Sequence, residues 1–274
     1  MALNALDVQQ LTLDIWMDDL VRGTLTRLTF GGFNQFPVWT SDGKRLLYAF
    51  SPNIASQQTE LRAVPADNSS SPATRLAGDA QPDNPRAVSP DGRIALGFRN
   101  KFGGNSARGG TTGNQLWVLP LAEGSSAPAK PRSFLESQFA KDNPQFSPDG
   151  KWVAYQANDS SRDEIYVVPF PGPGGKTQVS ADGGTDPRWS RSGRELFYRN
   201  DNKMMAVDVE TSPSFRAGTP KLLFEKESAA YDVASDGKRF LLIKGNGAPQ
   251  GQSNELRVVL NWFEELRRRA PVSK

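Results

Sequence analysis

A phrase of six residues recurs five times along the chain and restricts the fold before composition is considered. It reads Trp39-Thr40-Ser41-Asp42-Gly43-Lys44, Val88-Ser89-Pro90-Asp91-Gly92-Arg93, Phe146-Ser147-Pro148-Asp149-Gly150-Lys151, Trp189-Ser190-Arg191-Ser192-Gly193-Arg194 and Val233-Ala234-Ser235-Asp236-Gly237-Lys238. Asp directly before Gly between apolar runs marks a hairpin: the carboxylate accepts from nearby backbone N–H groups, and Gly takes the positive φ of the turn. Departures from the pattern include Ser192 in place of Asp and Thr40-Ser41 in place of Ser-Pro. The five glycines are on average about 48 residues apart. That is the period of a chain built from repeated structural units.

The sequence around each turn supplies four strands. The innermost runs into the turn with a bulky apolar residue four before Gly: Trp39, Val88, Phe146, Trp189 and Val233. The second leaves through Leu46-Leu47-Tyr48, Ile94-Ala95-Leu96, Val153-Ala154-Tyr155, Leu196-Phe197-Tyr198 and Phe240-Leu241-Leu242. Third strands read at Leu61–Val64, Leu116–Leu119, Ile165–Val168, Met204–Val207 and Leu256–Val259, with Ile15-Trp16-Met17 as a sixth copy. Outer strands read at Thr26–Thr29, Thr74–Leu76, Ser133–Leu135, Gln178–Ser180 and Leu222–Phe224. The expected fold is therefore all-β, a six-bladed β-propeller of four-stranded antiparallel blades. The first blade, 1–30, is incomplete; 31–80, 81–136, 137–181, 182–226 and 227–262 are the others, and 263–274 is a tail, all in one domain. Met1–Leu6 is expected as the remainder of the first blade's second strand. An incomplete blade leaves either an exposed edge or an upstream segment to finish it.

Composition excludes more than it proposes. The 274 residues contain no Cys and no His, so disulfides, thiol catalysis, a Ser-His-Asp triad and His-ligated metals are impossible within this chain. Net charge is +3, with basic residues spread among acids, so no nucleic-acid partner is expected. No apolar run reaches membrane-spanning length, and Met1–Leu20 does not read as a secretory signal. The glycine-rich stretch 103–113 lacks the Gly-Lys-Ser/Thr ending of a phosphate loop and reads as a connection, as does 125–131. Trp262–Arg269 is the one segment with a helical reading, its apolar side packing on the last blade.

Two sets of polar residues could carry function. The turn acids Asp42, Asp91, Asp149 and Asp236 read as turn chemistry. The basic residues after each Gly, Lys44, Arg93, Lys151, Arg194 and Lys238, read as a solvated rim that an acidic partner could use. Asn34-Gln35, Asp83-Asn84, Asp142-Asn143, Thr185-Asp186 and Asp232 stand at the start of the innermost strands, where a propeller gathers residues from several blades at one channel mouth. Asn84, Asn143, Asp186 and Asp232 are the candidate ligand-binding set, for a small polar ligand, a cation or a peptide terminus. Before Pro, Asn84, Asn143 and Asp186 also serve to open a turn and hold the chain extended.

The repeated Trp/Phe-Ser-Pro-Asp-Gly-Lys/Arg phrase resembles the TolB-like, WD-repeat-like β-propeller family over residues 12–262. Asp14-Ile15-Trp16, Gly23–Phe30, Tyr166–Lys176 and Val258–Trp262 further resemble the propeller that follows the membrane anchor in certain bacterial serine/threonine protein kinases. The resemblance implies a non-catalytic sensor or scaffold for protein, peptide or small-ligand recognition, outside the cytoplasm, with no cofactor and no metal. Contact with a membrane would come only through an upstream segment. Kinase activity does not carry over, because no nucleotide loop, catalytic-loop Asp or Asp-Phe-Gly is present. The competing expectation is a propeller hydrolase, a glycosidase or metal-dependent lactonase, drawing on Asp83, Asp142, Asp186 and Asp232.

Overall fold

The computed structural model describes residues 1–243 apart from 8, 55, 57–58, 68, 70–71, 78–83, 100–114, 122–129, 138, 173 and 235. The expected strand at Leu256–Val259, the helix at Trp262–Arg269, the glycine-rich stretch 103–113, most of the connection 125–131 and Asp83 lie outside the described residues. Every regular element among the described residues is a strand.

The chain divides into two compact units, the first Met1–Phe146 with Ala157–Asp159, the second Ser147–Gln156 with Ser160–Lys274. Unit 1 begins with β1 (Ala2–Asp7), β2 (Thr12–Asp19) and β3 (Thr24–Arg27), followed by β4 (Phe33–Trp39), β5 (Arg45–Ser51), β6 (Glu60–Pro65) and β7 (Thr74–Ala77). These form one sheet in the order β1-β2-β4-β5-β6-β7, with β3 on β2. Next come β8 (Asn84–Val88), β9 (Ile94–Arg99), β10 (Gln115–Pro120) and β11 (Arg132–Leu135) in a four-stranded sheet, and then β12 (Lys141–Phe146). Unit 2 holds β13 (Trp152–Ala157) up to Gln156, β14 (Glu164–Pro169) and β15 (Thr177–Gln178). It continues with β16 (Thr185–Trp189), β17 (Glu195–Asn200) and β18 (Lys203–Glu210), against which both β19 (Arg216–Ala217) and β20 (Lys221–Glu225) pair, and ends with β21 (Ala230–Val233) and β22 (Phe240–Ile243).

Met1–Leu6 forms a strand as expected: β1 is antiparallel to β2 from Ala2↔Met17 to Asp7↔Thr12. The joining of the first two repeats into one sheet was not foreseen. Leu13 pairs in parallel with Phe33, and the Leu13 N–H donates to the Gly32 carbonyl at 3.0 Å. Gly31 and Gly32, at φ 76° and 70°, turn the chain back beside β2. A Cβ on Gly32 would come within 2.7 Å of the Phe50 ring and the Ser51 carbonyl, so the close approach requires glycine.

The five repeated turns share one hydrogen-bond plan. In each, the Gly N–H donates to the carbonyl three residues back, from Gly43→Thr40 at 2.9 Å to Gly237→Ala234 at 2.9 Å, and φ of the Gly lies between 67° and 74°. A turn followed by a left-handed Gly is a standard hairpin closure. In four of the five, a Ser or Thr three before Gly adds a side-chain acceptor; in the fifth, where Ala234 stands, the Arg239 N–H goes to Asp236 at 3.2 Å. Ser147 Oγ accepts from the Trp152 N–H at 3.0 Å and donates to Asp149 at 2.5 Å, and Asp149 accepts from the Lys151 N–H at 3.1 Å. Thr40 and Asp42, and Ser89 and Asp91, repeat this arrangement. The Thr40 hydroxyl and the Lys44 N–H hold the Asp42 carboxyl below its ordinary range, and Ser89 and the Arg93 N–H do the same for Asp91. In the fourth copy Ser192 reaches only Ser190 at 3.0 Å and the Arg194 N–H at 3.3 Å.

The second strands are apolar on consecutive residues because both faces are covered. Leu46 and Tyr48 of β5 join Ile15, Leu28 and Val64, while Leu47 between them joins Leu61, Ala95 and Leu119. In unit 2, Leu196 and Tyr198 of β17 pack with Ala154, Ile165 and Val207, and Phe197 packs with Met204, Phe224 and Phe240. A second repeated device stands at the start of the third strands. The Ile15 N–H donates to Thr29 Oγ1 at 2.8 Å, and that hydroxyl donates to buried Asp14 at 3.1 Å. Likewise the Ile165 N–H donates to Ser180 Oγ at 2.8 Å, and Ser180 donates to buried Glu164. Arginines Arg27 and Arg162 close the pattern on Asp14 and Glu164 at 2.5 and 2.7 Å.

Restoring the missing turn carboxylate tests this plan. Ser192→Asp is expected to raise unfolding stability in urea by about 0.5 kcal/mol or more, because it replaces neutral contacts by charge-assisted ones. An unchanged or lower stability would show that the carboxylate does not hold the turn.

Candidate functional site

Three of the innermost strands are irregular at one place, and two of them, β8 and β16, carry the candidates Asn84 and Asp186. The ladder slips between Gln35 and Val38 on β4, between Pro85 and Ala87 on β8, and between Thr185 and Arg188 on β16. Proline supplies the cause, since it has no N–H to give the ladder. Phe36, Asn143 and Asp186, each directly before Pro, have φ of 56°, 48° and 53°. A residue before Pro favours extended backbone, so a left-handed conformation there costs about 1–3 kcal/mol. Asn and Asp tolerate that region; Phe does not. Strain repeated at one register position is an observation from which function can be sought.

In unit 1 the strain is surrounded by one arginine. The Arg86 guanidinium lies 4.4 Å from the Phe36 ring and 4.7 Å from the Phe98 ring, whose centroids are 5.9 Å apart in an edge-on pair. Its Nε is 3.3 Å from Asp142 Oδ1, and its carbonyl accepts from Gln145 Nε2 at 3.4 Å. Arg86 thus ties β4, β8 and β12 together. Asn84, half-buried, and Asn143 lie on two of these three strands. The Asn143 N–H donates to Asp142 Oδ1 at 2.7 Å. Asn34 is fully engaged on unit 1 backbone and on Asp14: its Nδ2 donates to Leu13, Gly31 and Asp14 oxygens at 3.0–3.1 Å.

In unit 2 Asp186 is a structural hub. Its Oδ2 takes Nε and Nη2 of Arg199 at 3.1 and 2.5 Å, while Arg199 Nη1 donates to the Ser228 carbonyl at 2.5 Å. Its N–H donates to Gln156 at 3.3 Å, and its carbonyl accepts from the Tyr231 hydroxyl at 2.6 Å. Burial pushes the Tyr231 phenol well above its ordinary pKa, against the pull of Arg188. Burial, with Glu164 and Asp182 nearby, raises Tyr198 to about 12. Asp232 on β21 is exposed, and its Oδ1 accepts from the next N–H, Val233, at 2.8 Å. Two candidates therefore fall in each unit, Asn84 with Asn143 and Asp186 with Asp232.

Arg86, Arg199 and Tyr231 were missed in the sequence. Arg86 had a signal: it stands six before Gly92, where three other copies have Pro37, Pro144 and Pro187. The five cations after the turn glycines are all exposed. Among the described residues no group of three or more acids is placed to hold a metal ion.

Comparison with known proteins agrees with this architecture. No protein-family model and no curated protein matches the chain. Among solved structures, TolB from Acinetobacter baumannii superposes with a TM-score of 0.66 at 15% identity, over 90% of this chain and 58% of that one. The fold is that of a TolB-like β-propeller. A structure assigned as TolB from Agrobacterium tumefaciens gives a TM-score of 0.57 at 14% identity, over 77% of this propeller and 74% of that chain. An oligogalacturonate lyase from Vibrio parahaemolyticus gives 0.58 at 12% identity, over 89% and 67%. The propeller thus spans 58% of the length of the Acinetobacter TolB chain.

The two acids of unit 2 are predicted to differ sharply. Asp186→Ala should lower unfolding stability by roughly 2 kcal/mol, since it leaves Arg199 without its carboxylate. Asp232→Ala should change it by less than about 0.5 kcal/mol, as an exposed group outside any network. Equal effects in urea melts would contradict the assignment of Asp186 as a hub.

Proposed function

We propose that this chain is a non-catalytic recognition module, the blades of a six-bladed propeller with an incomplete first blade. It binds a protein, a peptide or a small polar ligand at the inner-strand entries, through Asn84 and Asn143 in the first unit; in the second unit Asp232 is a separate candidate and Asp186 holds the inner strand of its own repeat. The observation that supports this most is that two of the three described acids at the inner-strand entries face arginines, Asp142 on Arg86 and Asp186 on Arg199. A carboxylate whose lone pairs are engaged by a guanidinium is a poor metal ligand and a poor member of a catalytic carboxylate pair. The left-handed backbone of the polar pre-proline residues Asn143 and Asp186 fits the same reading, because such strain gathers at functional sites. The phrases Tyr166–Lys176 and Val258–Trp262 support placement of the propeller behind a membrane anchor in a kinase-like or TolB-like protein.

Similar structures carry enzyme names as well, among them an oligogalacturonate lyase and prolyl endopeptidases. The test therefore has two arms. The purified chain is incubated with oligogalacturonate, a sugar lactone and a prolyl peptide, and its thermal unfolding is followed with a short-peptide library and with calcium. No substrate should be consumed beyond a heat-denatured control. At least one peptide or polar solute should raise Tm saturably, and the Asn84→Ala, Asn143→Ala double variant should reduce that shift. Turnover that disappears in Asp186→Asn would overturn the proposal in favour of an enzyme.

A further inference from the structure

The end of β3, the faces of β5 and β6 and the connection after β6 enclose a pocket of about 620 Å³ within unit 1. That volume suits a small organic molecule. Among the described residues its wall carries two arginines, Arg27 and Arg62, and no acid.

Both guanidiniums are set in place from behind. Arg27 gives Nη2 to Asp14 at 2.5 Å and Nε to the Thr29 carbonyl at 3.1 Å, and lies 4.8 Å from the Phe30 ring. Arg62 gives Nε and Nη2 to Glu60 at 2.9 and 2.7 Å and lies 3.5 Å from the Phe50 ring. Neither Asp14 nor Glu60 lines the pocket. Nη1 of each arginine takes no part in these contacts. A guanidinium has five donors and a carboxylate engages two, so an anchored arginine keeps capacity for a second oxyanion. The side chains are 26% and 30% exposed, enough for a ligand to reach. Tyr48, beside Arg62 in the same wall, adds a hydroxyl; burial raises its pKa and the arginine opposes the rise. At the rim Phe30 is 74% exposed and offers an aromatic face.

We infer that this pocket binds a small organic anion, with its carboxylate or phosphate oxygens on Arg27 and Arg62 and its flat or apolar body against Phe30 and Phe50. Preset guanidiniums lose little freedom on binding, and oxyanion recognition favours Arg over Lys for its planar fork. The site uses none of Asn84, Asn143, Asp186 or Asp232, so its failure and the failure of the reading at the inner-strand entries are separate results.

Calorimetric titration of the full chain with benzoate and with phenyl phosphate tests it, with benzyl alcohol as the uncharged probe. At least one of the two anions should bind saturably, the tighter of them identifying the preferred head group, and benzyl alcohol should bind at least about tenfold more weakly. Arg62→Gln should weaken the anion about tenfold or more, while Arg93→Gln, an exposed turn cation outside the pocket wall, should not. Should Arg62→Gln fail to fold by circular dichroism, Arg62→Lys keeps the charge and should still lose affinity. Absence of saturation by either anion at about 10 mM, equal binding of benzyl alcohol, or unchanged affinity in the folded Arg62 variant would overturn the inference.

Discussion

In three of the five turns the hydroxyl three residues before the glycine does two jobs at once. In Ser147 it accepts the N–H that opens the second strand and donates to the Asp that caps the turn. The Ser147 carbonyl accepts from the Gly150 N–H, and the Trp152 N–H is taken by the Ser147 side chain. A buried N–H without a partner would cost about 1–3 kcal/mol; a hydroxyl meets it in four turns, and the Asp236 carboxylate takes the Arg239 N–H at 3.2 Å in the fifth. The turn fixes the register of β5 on β4 and of β9 on β8, and with it which face each apolar residue takes. A slip of one residue would move Leu47 out of its cluster with Leu61 and Ala95 and into that of Leu46 and Tyr48.

The strands were legible for the same reason. Asp-Gly turns punctuate the sequence, and the apolar triplets after them can only be strands covered on both faces. Even the short β1 and the outer strands appear where periodicity placed them. What could not be read depends on contacts between residues far apart. Asp14 and Glu164 look like ordinary acids before a strand until Thr29 and Ser180 are brought against them, and the parallel pair Leu13↔Phe33 arises from two glycines whose φ no pattern announces. Of the candidate residues, Asn84 and Asn143 lie on strands joined through Arg86, whereas Asp186 is drawn into an ion pair with Arg199 and a hydrogen bond from Tyr231. Pre-proline Asn and Asp carry the same sequence signal in both roles; only the partners separate them.

Polar groups in this chain are held in place where strands are imperfect. Proline removes a ladder hydrogen bond, the preceding residue takes left-handed backbone, and arginines such as Arg86 stabilise the result by stacking and charge. The same combination of a guanidinium, a carboxylate behind it and an aromatic ring recurs at Arg27 and Arg62, where it faces a pocket rather than a strand. In the proposed reading, such anchored cations and the rings beside them would hold a ligand without chemistry at a bond.

The measurement closest to the foundation of this account is a double-mutant cycle on Ser147 and Asp149, read by urea unfolding. The hydroxyl and carboxylate are predicted to be coupled by about 1 kcal/mol, with Ser147→Ala costing more than Asp149→Ala because it alone strands the Trp152 N–H. Strictly additive effects, or a Ser147→Ala variant as stable as the parent, would contradict the claim that this side-chain clip sets the hairpins on which the fold depends.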